Sequence, residues 1–154
     1  MCKMRKNAFT LIELLVVISI MSILTIITVS QFISARIRSR DVARKADLNS
    51  LSKALQNYYV DYGEFPAEDT IVWGGEFNDA DYIYMKVVPQ EKNSSMPDYC
   101  YALLGSDLDK FALLSGLENE DDEEYNKYDG PYTGCGKSGY NFVIFSSNAG
   151  KDDL

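Results

Sequence analysis

Apolar and polar positions divide the chain into three stretches of different texture. Leu14 to Val29 reads LLVVISIMSILTIITV, with no charge, glycine or proline. Its polar atoms are Ser and Thr hydroxyls, which can bond to a helical carbonyl one turn back. Joined to Phe9–Ile12, the stretch predicts an apolar helix of about 21 residues, roughly 30 Å at the α-helical rise, one hydrocarbon core thick. From Gln31 the pattern becomes amphipathic: Leu48, Leu51, Leu55, Tyr58 and Tyr62 recur at spacings of three and four, one stripe of a helix. Arg38, Arg40, Asp41, Arg44, Lys45, Asp47, Lys53 and Gln56 fall on the other faces of this reading. Neither glycine nor proline interrupts Phe9 to Tyr62, which predicts one helix ended by Gly63 and Pro66.

After the helix the texture changes again. Residues 67–81 read as a loop around Trp73 with a buried aromatic anchor. Tyr82–Val88 reads as a short strand or a helical turn. Tyr99–Leu104, Lys110–Ser115 and Gly139–Ser146 are short, aromatic or β-branched, and bounded by turn residues, so they are the best strand candidates. Gly105 to Asp109 suits a hairpin between the first two. The expected fold class is α+β: a long N-terminal helix, membrane-spanning and then amphipathic, packed on a small antiparallel sheet that covers the Leu48–Tyr62 stripe. The expected organisation is a basic leader at 1–8, a membrane half of the helix at 9–30, an amphipathic half at 31–62 and a globular head at 63–154. The head alone is small, so the helix should supply much of its core.

Charge sharpens this picture. The 154 residues carry 15 Lys and Arg against 23 Asp and Glu, a formal charge of −8. Lys3, Arg5 and Lys6 precede the apolar stretch, and Arg36, Arg38, Arg40, Arg44, Lys45 and Lys53 follow it as a collar. The residues beyond Lys53 are strongly acidic. Such a head repels nucleic acid, whereas the collar suits anionic lipid headgroups. There is no histidine, which removes Ser-His and Cys-His catalysis and histidine metal ligands. No P-loop, Gly-x-Gly-x-x-Gly or Cys-x-x-Cys motif is present, so an enzyme is not expected.

One residue breaks the apolar rule. Glu13 costs at least about 2.5–3.5 kcal/mol inside a bilayer. A cleaved secretory signal has a shorter apolar region and a small-residue cleavage site. A plain signal anchor leaves Glu13 without a purpose. A cut between Ala8 and Phe9 would free an ammonium at Phe9, and in a bundle of parallel helices the amine of one subunit can meet Glu13 of its neighbour, which makes the buried charge an assembly device.

Lys6-Asn7-Ala8-Phe9-Thr10-Leu11-Ile12-Glu13-Leu14-Leu15 resembles the class III signal of type IV pilins and type II secretion pseudopilins. DYGEFP, at 61–66, resembles the helix-end motif common in the same family. The resemblance covers residues 5 to about 30 closely and the rest in layout. It implies cleavage of Ala8–Phe9 by a prepilin peptidase, N-methylation of Phe9, and an assembly role for Glu13. It further implies a homo-oligomer or a mixture with related pilins, raised by a membrane assembly platform, the head lying outside the cytoplasmic membrane before incorporation into an extracellular or periplasmic filament. Ala8 stands where the family usually has Gly, and no proline occupies the neighbourhood of Ser30, where many members have one. A pilus subunit, a pseudopilin of a secretion or competence system, and a membrane-tethered module that never polymerises all stay open.

Cys2 lies in the leader. Cys100 and Cys135 remain as an even pair in a translocated head, so a disulfide is expected, and many pilins have a similar C-terminal disulfide loop. The acidic run at 118–124 lies inside that loop. Major pseudopilins bind calcium in a C-terminal loop, which makes Glu120, Asp121, Asp122 and Asp129 weak calcium candidates. Their spacing fits no EF-hand, and a solvated surface loop is the preferred reading; no cofactor is expected. Leu117-Glu118-Asn119 resembles a strand-end pattern of pilin-like proteins and reads as structural.

Overall fold

A computed structural model describes residues 9–105, 108–128, 130 and 132–153. The leader with Cys2 and Ala8, residues 106 and 107 of the expected hairpin, and the calcium candidate Asp129 lie outside the described residues. The chain divides into two compact units, Met1–Ile37 and Arg38–Leu154.

Helix α1 spans Leu11–Tyr62, 52 residues. Thr10 caps its start: its Oγ1 accepts the Glu13 backbone N–H at 3.3 Å, which satisfies one of the orphan donors of the first turn. Within the first unit, Ser19, Ser22, Thr25 and Thr28 each donate to the carbonyl four residues earlier at 2.7–2.8 Å. These hydroxyls are therefore satisfied without water, the condition for a helix in hydrocarbon.

In the second unit, the C-terminal part of α1 supplies a wall of the core. Leu48, Leu51 and Leu55 are fully buried, joined by Ala54 and Ser52. Complete burial of each leucine contributes about 1.5–3 kcal/mol. Tyr62, at the end of the same stripe, is exposed instead: its ring stacks on Tyr58 at 4.5 Å and its hydroxyl donates to Asp79 at 2.5 Å. The YGEFP segment ends the helix. Gly63, with φ +76°, donates to the Tyr59 carbonyl at 2.8 Å, a left-handed stop that glycine adopts without strain. Phe65 then turns into the core, edge-on to Phe111, and the Pro66 carbonyl accepts the Tyr101 hydroxyl at 2.7 Å.

The strands are β1 Phe77–Asn78, β2 Ile83–Met85, β3 Cys100–Leu104, β4 Lys110–Ser115, β5 Tyr132–Gly134, β6 Lys137–Tyr140 and β7 Phe142–Phe145. The central sheet is antiparallel in the order β3-β4-β7, with Tyr101 opposite Leu113 and Leu113 opposite Ile144. Strand alternation sorts its side chains between two cores. Tyr101, Phe111, Leu113 and Phe142 join Leu48, Leu51, Ala54 and Leu55 of α1. Cys100, Leu104, Ala112, Leu114 and Val143 join Tyr140 on the opposite face. Burial on both faces explains why β4 reads KFALLS rather than alternating with polar residues.

Two expectations need correction. The expected strand over Gly139–Ser146 is two strands, broken at Asn141. The buried Asn141 side chain accepts the Leu117 N–H at 2.5 Å and donates to the Leu117 carbonyl at 2.9 Å, standing in for a missing neighbouring strand. In the 67–81 segment the fully buried ring is Phe77, not Trp73; Trp73 is half-buried and packs edge-on to Tyr99. The β5-β6 hairpin was not expected at all.

Cys100 and Cys135 form a disulfide across a Cα–Cα distance of 5.8 Å, tying β3 to the turn between β5 and β6. A sequence separation of 35 residues places its effect at about 3–4 kcal/mol through restriction of the unfolded chain. Urea denaturation of the full chain in detergent should show the C100S/C135S double variant losing about that much head stability, and reductant should lower wild type to the same value.

Candidate functional site

The N-terminal unit presents an apolar surface that its own residues do not cover. Phe9, Leu11 and Ile12 are 78%, 82% and 70% exposed, and the large apolar side chains from Leu14 to Ile33 are likewise exposed. Among the described residues, α1 is the helix long and apolar enough to cross a membrane; its most apolar 18-residue window has a mean hydropathy of 2.6 and no buried residue. Glu13 stands in the first turn, where a carboxylate is favoured by the helix dipole. No ion pair to its carboxylate occurs among the described residues. Phe9 and Glu13 therefore lie where the sequence places them, one turn apart at the start of the apolar surface.

In the second unit the collar is not a free basic face. Asp41 and Arg44 are 1% and 3% exposed, against the expectation that both face solvent. The Arg44 guanidinium meets Asp41 at 2.7 Å, Glu91 at 2.6 Å and Glu118 at 2.7 Å. Asp41 also accepts the backbone N–H groups of Glu118 and Asn119 at 2.8–3.1 Å. Arg40 reaches the Glu118 carboxylate through two nitrogens. Lys45 binds Asp122 at 2.5 Å and Glu124 at 2.7 Å.

The acidic run is thus fastened to the helix and is not the solvated loop expected of it. Glu118, Asp122 and Glu124 have cation partners, while Glu120 and Asp121 are exposed. Among the described residues no three acidic, cysteine or histidine side chains are grouped to hold a metal ion.

The network shifts its members. The Arg40 hydrogen bond, with further help from Arg44, holds the Glu118 carboxyl at about 2 against the opposing effect of burial. Burial works against the Arg44 charge, but the hydrogen bonds it donates to Glu91 and Glu118 outweigh it and raise its pKa. For Asp122, burial opposes ionisation and the Lys45 contact overcomes it, leaving the pKa lowered. Sequence reasoning had a signal for this cluster: Asp41 and Arg44 extend the Leu48-Leu51-Leu55 stripe backwards at the same spacing of three and four.

Two outcomes follow from the geometry. Arg44→Met leaves Asp41, Glu91 and Glu118 without their shared cation and should destabilise the head by about 3–5 kcal/mol, read by urea denaturation. Because the folded pKa of Glu118 is depressed from 4.5 to about 2, the folded state binds fewer protons than the unfolded one in that range. Its contribution is therefore complete above about pH 5 and lost as the pH falls towards 2. Denaturation midpoints measured at pH 7, 4 and 2.5 should decline in that order, and Arg40→Gln should flatten the decline.

Comparison with curated proteins returned no match, and neither did comparison with solved structures. Residues 3–29 match the family model of the prokaryotic N-terminal methylation motif. The match takes in Ala8, Phe9, Glu13 and the apolar stretch and leaves the head outside. Residues 3–29 are therefore a prepilin-type signal, the N-terminal methylation motif of type IV pilins and pseudopilins.

Proposed function

We propose that this chain is a structural subunit of a type IV pilus-like filament, made as a single-span precursor in the cytoplasmic membrane with its head outside. A prepilin peptidase cuts Ala8–Phe9, and the new Phe9 amine is methylated. The assembly platform then draws the subunit into a filament, where residues 9–30 pack among the helices of neighbouring copies. The observation that carries this reading is the uncovered apolar surface of Leu11–Val29 with one acid, Glu13, at its start.

Two constraints connect that surface to assembly. Apolar area of this extent is stable in lipid or against similar helices, not in water. Glu13 adds direction. A carboxylate in hydrocarbon is tolerated when paired, and the ammonium freed at Phe9 by cleavage is the nearest cation the processing chemistry supplies. A neighbour displaced along the axis brings its amine to this acid, so the ion pair fixes register while apolar packing supplies cohesion. The head needs no catalytic apparatus in this role, and its disulfide suits an oxidising compartment.

Intact-mass measurement on protein from native membranes should show a chain beginning at Phe9 with one additional methyl group. Glu13→Ala should leave the head folded and the precursor inserted, and abolish filaments in sheared-fraction assays. Protein that keeps residues 1–8 and forms no filaments would instead identify a membrane-tethered module that never polymerises, and filaments that form unimpaired without Glu13 would overturn the role given to that acid.

A further inference from the structure

The basic collar separates into two groups with different fates. Arg40, Arg44 and Lys45 are held by carboxylates of their own chain. Arg36 and Arg38, the two collar cations nearest the apolar stretch, are exposed and make no ion pair among the described residues. Arg36 lies over the Phe32 ring, 5.9 Å from its centroid, and that ring is itself 63% exposed. Lys53 is also exposed but lies 15 residues beyond Arg38, roughly 22 Å along the helix.

We propose that Arg36 and Arg38 bind the phosphates of anionic lipid headgroups at the extracytoplasmic surface of the membrane. The argument rests on the reading that residues 9–30 span a bilayer. A span of about 33 Å from Phe9 ends the hydrocarbon near Ser30 and sets the following turns at headgroup depth. Phe32 then offers an apolar ring to the acyl boundary. The Arg36 guanidinium lies over that ring, at the boundary where long cationic side chains bridge apolar and polar layers. Guanidinium matches phosphate with paired donors. Residues two apart on a helix do not face each other, so each arginine meets its own headgroup. Lys53, about 22 Å along the helix from Arg38, is more than two screening lengths from it at physiological salt, about 8 Å each. The same segment of a free precursor is thereby anchored at both ends, by the leader cations inside and by Arg36 and Arg38 outside.

The test uses the full chain reconstituted in vesicles of equal phosphatidylglycerol and phosphatidylcholine, released into detergent, with retained lipids counted by native mass spectrometry. Wild type should retain phosphatidylglycerol in excess. R36Q/R38Q should reduce the ratio of phosphatidylglycerol to phosphatidylcholine by about fivefold for each arginine. R36K/R38K should keep most of it, and K53Q should leave it unchanged. An unchanged ratio in R36Q/R38Q overturns the inference, as does an equal loss in K53Q. If the arginines instead engage the acidic head of a second copy, R36Q/R38Q will lose dimer in the same spectra with its lipid ratio intact, and the inference falls. Alkaline carbonate extraction separates the two levels of failure. Protein that washes out of the vesicles overturns the membrane span and this inference together. Protein that stays in the pellet without a lipid preference dependent on Arg36 and Arg38 overturns this inference alone.

Discussion

The organising constraint is an apolar helical surface that its own unit does not bury. From Leu11 to Val29 large aliphatic side chains point outward around the helix, and water is a poor solvent for every one of them. Backbone polar groups are satisfied inside the helix and the hydroxyls by back-bonding, so the surface is complete for lipid. The same surface is complete for other helices of its kind, since aliphatic side chains gain little preference between the two environments. On the proposed function, transfer from membrane to filament would exchange like for like, and a small directional term would decide the outcome. Glu13 is the residue in this stretch that can supply one, because it alone carries a charge.

The second unit solves a different problem with the same helix. A sheet of three short strands cannot bury enough area by itself. Leu48, Leu51, Ala54 and Leu55 close one face, and Tyr140 with the disulfide-tied hairpin closes the other. Where the stripe runs back to Asp41 and Arg44, apolar packing gives way to a charge cluster. Desolvating Arg44 is costly, and three carboxylates around one guanidinium meet that cost. Those carboxylates come from α1, from the segment at Glu91 and from the segment that follows β4, so the cluster also ties two loops to the helix.

How much of this was legible depends on the range of each interaction. The helix limits, the β3 and β4 segments and the Leu48-Leu51-Leu55 core follow from period and from glycine and proline, which act within a few residues. The break at Asn141 was hidden because its side chain answers to Leu117, 24 residues away. The acidic run was misread for a similar reason: seven consecutive polar residues look solvated until their cations are located on a helix more than seventy residues earlier. Asp41 and Arg44 were misread by type. They were read onto the other faces of the helix, although they continue the stripe's spacing of three and four backwards and a charge at a stripe position is itself a sign of a buried pair. Phe9 and Glu13 lie where the sequence placed them, at the start of the apolar surface, because that signal is local, a single acid against an apolar background.

The internal ion pairs bear on how heads of this composition would pack in the proposed filament. Pairing Arg40, Arg44 and Lys45 within the chain removes cations that could otherwise bridge to another copy, while exposed acids such as Glu120 and Asp121 remain. Heads that share a net negative charge repel at long range, and at physiological salt that repulsion fades beyond about 8 Å. Electrostatics therefore neither draws such heads together nor strongly separates them once close. In the proposed filament, cohesion between copies would then fall to the N-terminal helix, which would leave the outer surface of the head largely free of the demands of assembly.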